Sequence, residues 1–375
     1  MSPVSLSLLP FIRTTFGDAW RPPKRQHPPQ RHIDETMGWL CRAHDATADD
    51  GVSYGYSVRG GWRDSYIETT GYIVCTFYNY AEATENSDYR ERATRMAHWL
   101  TTVQNADGSF SNPHYAGGKG IVFDTGQDLF GLVRGHVETS DSKLLAAARR
   151  AGDWLVDVAD AEGRWTRNTH LNVPHVYNSR VAWALLELWA LTKNPEYERV
   201  ARANLDWAVS QQNSHGWFDN CAFSPDVAPF THTIAYAIRG LWEASQIIAD
   251  EAWRNAAITG ADAMVSRMGR DGFIPGQIAV DGRPAARYCC LTGNAQIAIV
   301  WAKLFEATGE QRYRHAAVQA CQYVMSAQDI ASNDDDIRGA IKGSHPIWGK
   351  YSRFTYPNWA AKFFLDALLL TRRWM

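Results

Sequence analysis

Four glycines recur along the chain at nearly one spacing. Gly108, Gly163, Gly216 and Gly272 are 55, 53 and 56 residues apart, each nine positions after Trp99, Trp154, Trp207 or Ala263. Such a period marks a supersecondary unit that cannot bury its apolar face alone, so the chain must stack several units. Each glycine closes a helical stretch: AHWLTTVQNADGSF (97–110), GDWLVDVADAEGRW (152–165), LDWAVSQQNSHGWF (205–218) and ADAMVSRMGRDGFI (261–274). MGWLCRAH (37–44) ends an earlier copy, and QACQYVMSAQD (319–329) belongs to a sixth with a longer loop.

A second set of helical stretches lies between these. They begin at ETTGYIVCTFYNYAEA (68–83), FDTGQDLFGLVRGHVE (123–138), YNSRVAWALLELWALT (177–192), THTIAYAIRGLWEAS (231–245), LTGNAQIAIVWAKLFEA (291–307) and YPNWAAKFFLDALLLT (356–371). The first set carries charge on one face, as in DYRERATRMAHWL, which suits outer helices. The second is apolar nearly all round, as a buried inner ring must be. Six outer and six inner antiparallel helices predict an all-α (α/α)6 toroid in one domain, residues 31–375, after an irregular Pro-rich leader, residues 1–30. Helices that alternate in direction put all six outer-to-inner loops at one end. The inner-helix N-termini then converge on one funnel, where free N–H groups favour anionic or oxygen-rich ligands.

Composition narrows the partners. A formal net charge of −2 gives no reason to expect nucleic acid or a membrane surface. No run approaches the length of a spanning helix, and the N-terminal apolar stretch lacks a basic n-region and is broken by Pro10, so a cytoplasmic protein is expected. Six cysteines without CxxC spacing (41, 75, 221, 289, 290, 321) read as reduced thiols. Sixteen Trp and sixteen Tyr exceed what a core of this size needs, and such rings stack on sugar faces.

The repeat resembles the (α/α)6 and related α-toroid proteins, which include glycoside hydrolases, polysaccharide lyases, sugar epimerases and triterpene cyclases. The blocks SYIETTGY, VFDTGQ, THTIAYAIRGLWE, CLTGNAQ and YPNWAAKFFLDAL are similar to those of bacterial surface-polysaccharide biosynthesis proteins. The resemblance implies a carbohydrate-active enzyme with an oligo- or polysaccharide substrate. QNADGSF (104–110) and QNSHGWF (212–218) match the glutamine–glycine–aromatic turn of the cyclases, but the acidic run 333–336 does not match their DxDD motif.

The six inner-helix entrances supply the candidate site. In chain order they carry Tyr66, Glu68 and Tyr72; Asp124 and Gln127; His175, Tyr177, Asn178 and Arg180; His232 and Tyr236; Tyr288, Cys290 and Asn294; and Arg353, Tyr356, Asn358 and Lys362. Glu68 and Asp124 occupy matching places beside aligned Thr-Gly pairs. Two carboxylates facing one cleft suit acid and base roles in glycoside hydrolysis, and the same residue types also serve as helix caps. Proton abstraction from a uronate would instead draw on His232, Tyr288 or Tyr356, with Arg180 or Lys362 holding the carboxylate. A non-catalytic carbohydrate-binding or assembly role is the third reading.

Two further features stand out. Asp219-x-Cys221 and Cys289-Cys290 with His232 nearby offer zinc ligands. The Cys-Cys pair is similar to that of (α/α)6 arabinofuranosidases with a zinc-bound cysteine nucleophile, although Asp219 stands where their Glu-x-Cys pattern has Glu; no other cofactor is expected. The last loop, 329–359, is long enough to wall a substrate site, with Trp348, Tyr351 and Arg353 able to stack on sugars and grip an acidic substituent.

Overall fold

The computed structural model describes residues 14–18, 27–112 and 118–375. Among the described residues, twelve long helices alternate between two concentric rings. The outer ring is α1 (Pro29–Asp45), α3 (Ser87–Val103), α5 (Ser142–Asp157), α7 (Pro195–Ser210), α9 (Glu251–Val265) and α11 (Gln311–Ala327). The inner ring is α2 (Ile67–Thr84), α4 (Val122–Thr139), α6 (Ser179–Thr192), α8 (Thr231–Ile247), α10 (Leu291–Thr308) and α12 (Asn358–Thr371). Successive inner helices pack side by side, α12 returns to α2, and α1 packs behind α12, which closes the toroid.

Local chemistry punctuates each hairpin. Most inner helices end on a left-handed residue (Glu85, Ser140, Lys193 or Gly309), and the next outer helix starts almost at once. Asn86, Asp141, Asn194 and Asp250 cap four outer helices by accepting from a backbone N–H two residues on. The return from outer to inner helix is long, so every inner helix enters from the same end.

The repeat glycines join neighbouring units. Gly108, Gly163, Gly216 and Gly272 have φ between +72° and +93°, and a Cβ on each would strike the next outer helix, at Arg150, Ala203, Thr259 and Gln319 respectively. Gly339 does the same in the long last loop, where a Cβ would lie 2.0 Å from the Glu35 carbonyl of α1. It is the fifth member of the series and closes the circle. The cyclase-like glutamines are staples here. Gln104 and Gln212 each donate both to the carbonyl of their own repeat glycine and to the next outer helix, and Gln328 donates to the Gly339 carbonyl and the Thr36 hydroxyl.

A small antiparallel sheet, ordered β2 (Gly61–Trp62), β1 (Gly55–Ser57), β5 (Thr355–Pro357), ties the first loop to the last. Two-residue strands β3 (Cys289–Cys290) and β4 (Ser344–His345) pair the fifth entrance with the last loop. Much of the expected irregular leader lies outside the described residues. Within it, residues 14–18 form a helical turn whose Asp18 is buried against Lys342 and accepts from the Ile347 amide, and α1 already begins at Pro29. Among the described residues no helix is long and apolar enough to cross a membrane.

Candidate active site

The entrances of α2 and α4 bring acids together. Glu68 is the second residue of α2 and Asp124 the third of α4. Neither caps its helix, because the N-cap residues Tyr66 and Ile121 are extended and make no side-chain cap bond. Thr70 and Thr125 secure the entrances instead, their hydroxyls accepting from the Val52 and Phe110 amides of the preceding loops. The carboxylates are thereby left for other work.

Burial pushes the Glu68 carboxyl up to about 7, against the opposing pull of the Tyr66 hydroxyl, which donates to Glu68 Oε2 at 2.6 Å, and of Arg180. Burial and the Glu68 charge hold the Asp124 carboxyl well above the usual carboxylate range, and its Oδ2 is buried without a hydrogen-bond partner. Two acids that repel each other across one site cannot both ionise near neutrality. The Tyr66 hydroxyl and Arg180 favour the charged form of Glu68, whereas Asp124 has only its own backbone amide to do so.

A third carboxyl was not picked out in the sequence. Asp128 lies one turn below Asp124, completely buried, with the Gly71 amide nearby but no well-formed hydrogen bond to either oxygen. It packs against Gly71 of α2, where a Cβ would lie 2.4 Å from the Asp128 Cα. Burial, Asp124 and Glu68 raise its pKa well above the usual carboxylate range, with the Gly71 amide pulling the other way. The i, i+4 spacing from Asp124 was visible in the sequence, but nothing there marked the facing glycine.

Aromatic rings pack around the acids. Tyr66 lies against Tyr54 and Trp359, with centroids 5.1 and 5.9 Å away, and Trp359 donates its indole N–H to the Tyr351 hydroxyl at 2.8 Å. Tyr351 packs on His232, His232 on Tyr236, Tyr236 on Phe123, and Phe123 on Tyr177. Tyr177 feels the charges of both Glu68 and Asp124. Burial lowers the His232 imidazole to about 3, so it is neutral, with Nδ1 3.1 Å from Gln296 Oε1. Tyr72 pairs with the Tyr236 hydroxyl below, and Gln127 Oε1 accepts from Arg180 Nε at 2.5 Å. Lys362 is bound to Asp366 at 2.6 Å, and burial brings its ammonium down to about 8.

Other expected site residues fasten the loops. Asn294 donates to the Gly272 carbonyl and accepts from Cys289 Sγ, and Asn358 donates to Ser53 O and to the Thr69 hydroxyl. Tyr288 donates to Gln277, and the His175 ring nitrogens face the carbonyls of His170 and Ala222. Asn178 is buried at the N-cap of α6. Tyr356 was expected among the catalytic groups, but it pairs with Tyr56 in the sheet and its hydroxyl faces Thr14. Arg353 is exposed, donating to the Trp348 carbonyl and lying over Phe354, while Trp348 packs partly buried against the core and Tyr351 lies against His232 and Trp359.

The zinc option does not fit these positions. Asp219 is exposed, the Cys221 thiol pairs with Thr233, and Cys289 Sγ is bound to Asn294. Cys290 Sγ faces the amides of Thr292, Gly293 and His232. Cys289 and Cys290 share one short strand, where successive side chains point to opposite faces. Among the described residues no three His, Cys, Asp or Glu side chains converge on a metal position, and all six cysteines are free.

The family model described as beta-L-arabinofuranosidase, GH127 catalytic domain, matches residues 43–281, more than half of the chain. Solved structures share the fold over nearly their whole length. The unsaturated glucuronyl hydrolase of Bacillus sp. GL1 is 19% identical with a TM-score of 0.70, covering 91% of this chain and 96% of its own. Cellobiose 2-epimerase of Bacillus thermoamylovorans B4167 is 11% identical (TM-score 0.68; 96% and 99% covered), and a family 88 glycosyl hydrolase of Bacteroides vulgatus is 13% identical (0.67; 93% and 100%). No curated protein sequence matches the chain.

Proposed function

The chain belongs to the GH127 beta-L-arabinofuranosidase catalytic-domain family, and on that premise we propose that it hydrolyses a glycosidic bond between Asp124 as proton donor and Glu68 as the ionised partner. Membership makes it a carbohydrate-active glycoside hydrolase with an oligosaccharide substrate. The observation that carries the residue assignment is geometric: two buried acids stand on adjacent entrances, Glu68 accepting from the Tyr66 hydroxyl and Asp124 Oδ2 without a partner, and burial raises both. Pairs of acids in unlike surroundings divide acid and base work between them.

The steps follow from the geometry. A sugar ring lies among Tyr66, Trp359, Tyr177 and Tyr351, whose faces suit its C–H surface. Asp124 passes its proton to the leaving oxygen as the C–O bond breaks. Glu68, steadied by the Tyr66 hydroxyl, stabilises the positive charge at the anomeric carbon. One water is consumed, its proton restoring the donor and its oxygen ending on the sugar.

The family description makes a β-L-arabinofuranoside the first substrate to assay. Release of a free sugar by the wild type, abolished in both Glu68→Gln and Asp124→Asn with the fold intact, is the expected result. Full turnover in both variants would refute the assignment. A thiol reading has one observation in its favour, the three amides around Cys290 Sγ, which favour a thiolate. Burial nonetheless pushes that thiol up to about 12. Cys290→Ser separates the two: it leaves the carboxylate reaction running and stops a thiol one.

A further inference from the structure

Below the carboxylates the axis of the toroid is filled with cations. Arg180 of α6 lies 4.9 to 5.7 Å from the ring centroids of Phe130, Tyr236, Trp183, Tyr72 and Phe363. Arg239 of α8 lies 5.3 Å from the Trp183 ring that Arg180 also faces. Lys362 of α12 shares the other side of the box, 5.2 Å from Tyr72 and 4.3 Å from Phe363. Three positive groups from three inner helices thus meet on one set of rings, and the charge of Arg239 weighs on both Arg180 and Lys362.

Their counter-ions do not balance the cluster. Lys362 has Asp366, and Arg239 has Glu243 at 3.2 Å, a carboxylate it shares with Lys303. Arg180 has no carboxylate within 4 Å among the described residues; Gln127 takes its Nε and its Nη1 has no partner. Arg239 Nη1 has none either, and both nitrogens are sealed from solvent. Ring faces offset the charge of a guanidinium but offer no lone pair to its N–H groups, and buried charged donors left without acceptors are strongly unfavourable.

We propose that a small monovalent anion of halide size binds on the toroid axis between Arg180 and Arg239, accepting from their Nη1 groups, with Lys362 adding its field. The sugar does not reach this position. Tyr72 and Tyr236, their hydroxyls paired and each at most 2% exposed, roof it off from the cleft above. The anion sets the charge beneath the reaction centre, because Arg180 is the cation that draws on Glu68. The site stands on the cation geometry alone and does not depend on which carboxyl performs the chemistry.

Bromide is the probe. The full chain in sodium gluconate at fixed ionic strength is titrated with sodium bromide or chloride, and crystals soaked in bromide are measured at the bromine absorption edge. The expected result is a saturating, halide-specific rise in Tm and an anomalous peak between Arg180 and Arg239, both weakened in Arg239→Met. Equal Tm in gluconate and halide, or a peak-free axis holding only water, overturns the proposal. The wild type alone decides the matter if Arg239→Met does not fold.

Discussion

The α2 and α4 entrances and the α10 and α12 entrances occupy equivalent places in the repeat, yet they spend their polar side chains differently. Glu68 and Asp124 are not spent on capping their helices, and Asp124 feels the charge of Glu68. Asn294 and Asn358 are spent on loop carbonyls and hydroxyls, including the carbonyl of Gly272. Repeat position brings a residue to the funnel; the partner it finds decides whether it reacts or fastens. Thr70 and Thr125 make the difference at the first two entrances, because they take over the loop amides that a carboxylate would otherwise hold.

The comparison breaks most sharply at the acids. Glu68→Gln and Asp124→Asn are each expected to lower kcat by about 10²- to 10⁴-fold with unchanged circular dichroism, whereas Asn294→Ala is expected to keep kcat within about tenfold. The pH profile sharpens it further. Activity needs ionised Glu68 and protonated Asp124, so kcat/KM should rise through about pH 7 and fall at higher pH. A profile that is flat from pH 5 to 8 would contradict the pair. Stability carries the same signature with its own sign. A raised carboxyl favours folding below its ordinary value of 4.5, and that contribution is lost as pH rises through about 7, so Glu68→Gln should flatten the stability curve in this window.

The fastening side responds through stability. Gly272→Ala puts a side chain at φ +83° and a Cβ 2.2 Å from the Gln319 carbonyl, and a loss of about 2–4 kcal/mol is expected from urea denaturation. Asn294→Ala removes two buried bonds and should cost about 1–3 kcal/mol in the same assay. Tyr66→Phe is a smaller test at the site itself. Loss of the hydroxyl that donates to Glu68 should move the acidic limb of the pH profile upward, with about a tenfold or smaller fall in rate. The smallest expected effect is that of a chelator. Elemental analysis of purified protein should find no stoichiometric zinc, and dialysis against EDTA should leave turnover unchanged; zinc at one per chain would show that the cysteines rearrange into a centre.

The architecture was legible because a period near 54 residues, with charge on alternate helices, admits few solutions. Gly339 escaped that reading: its loop is longer, and only its seat on Glu35 of α1 identifies it as the fifth closing glycine. Glu68 and Asp124 were legible from their matched places beside Thr-Gly pairs. Tyr54, Phe123 and Trp359 were not distinguished from the many core aromatics, because a ring beside the acids and a ring that fills a core have the same sequence. Tyr356 and Arg353 failed for a related reason. Strand pairing in β5 and the turn of the last loop decide which way those side chains point, and neither is periodic.

By itself the sequence determined the number of helices, their alternation between outer and inner rings, and the convergence of six entrances at one end, since periodic burial leaves the chain little freedom. Tertiary structure alone decided the ionisation of Glu68, Asp124 and Asp128, the dispersal of the cysteines, and the meeting of Arg180 with Arg239. These depend on distances between residues some 50 or more positions apart, and on how far water is excluded from them. Electrostatic energy varies with both, and neither is written in local order along the chain.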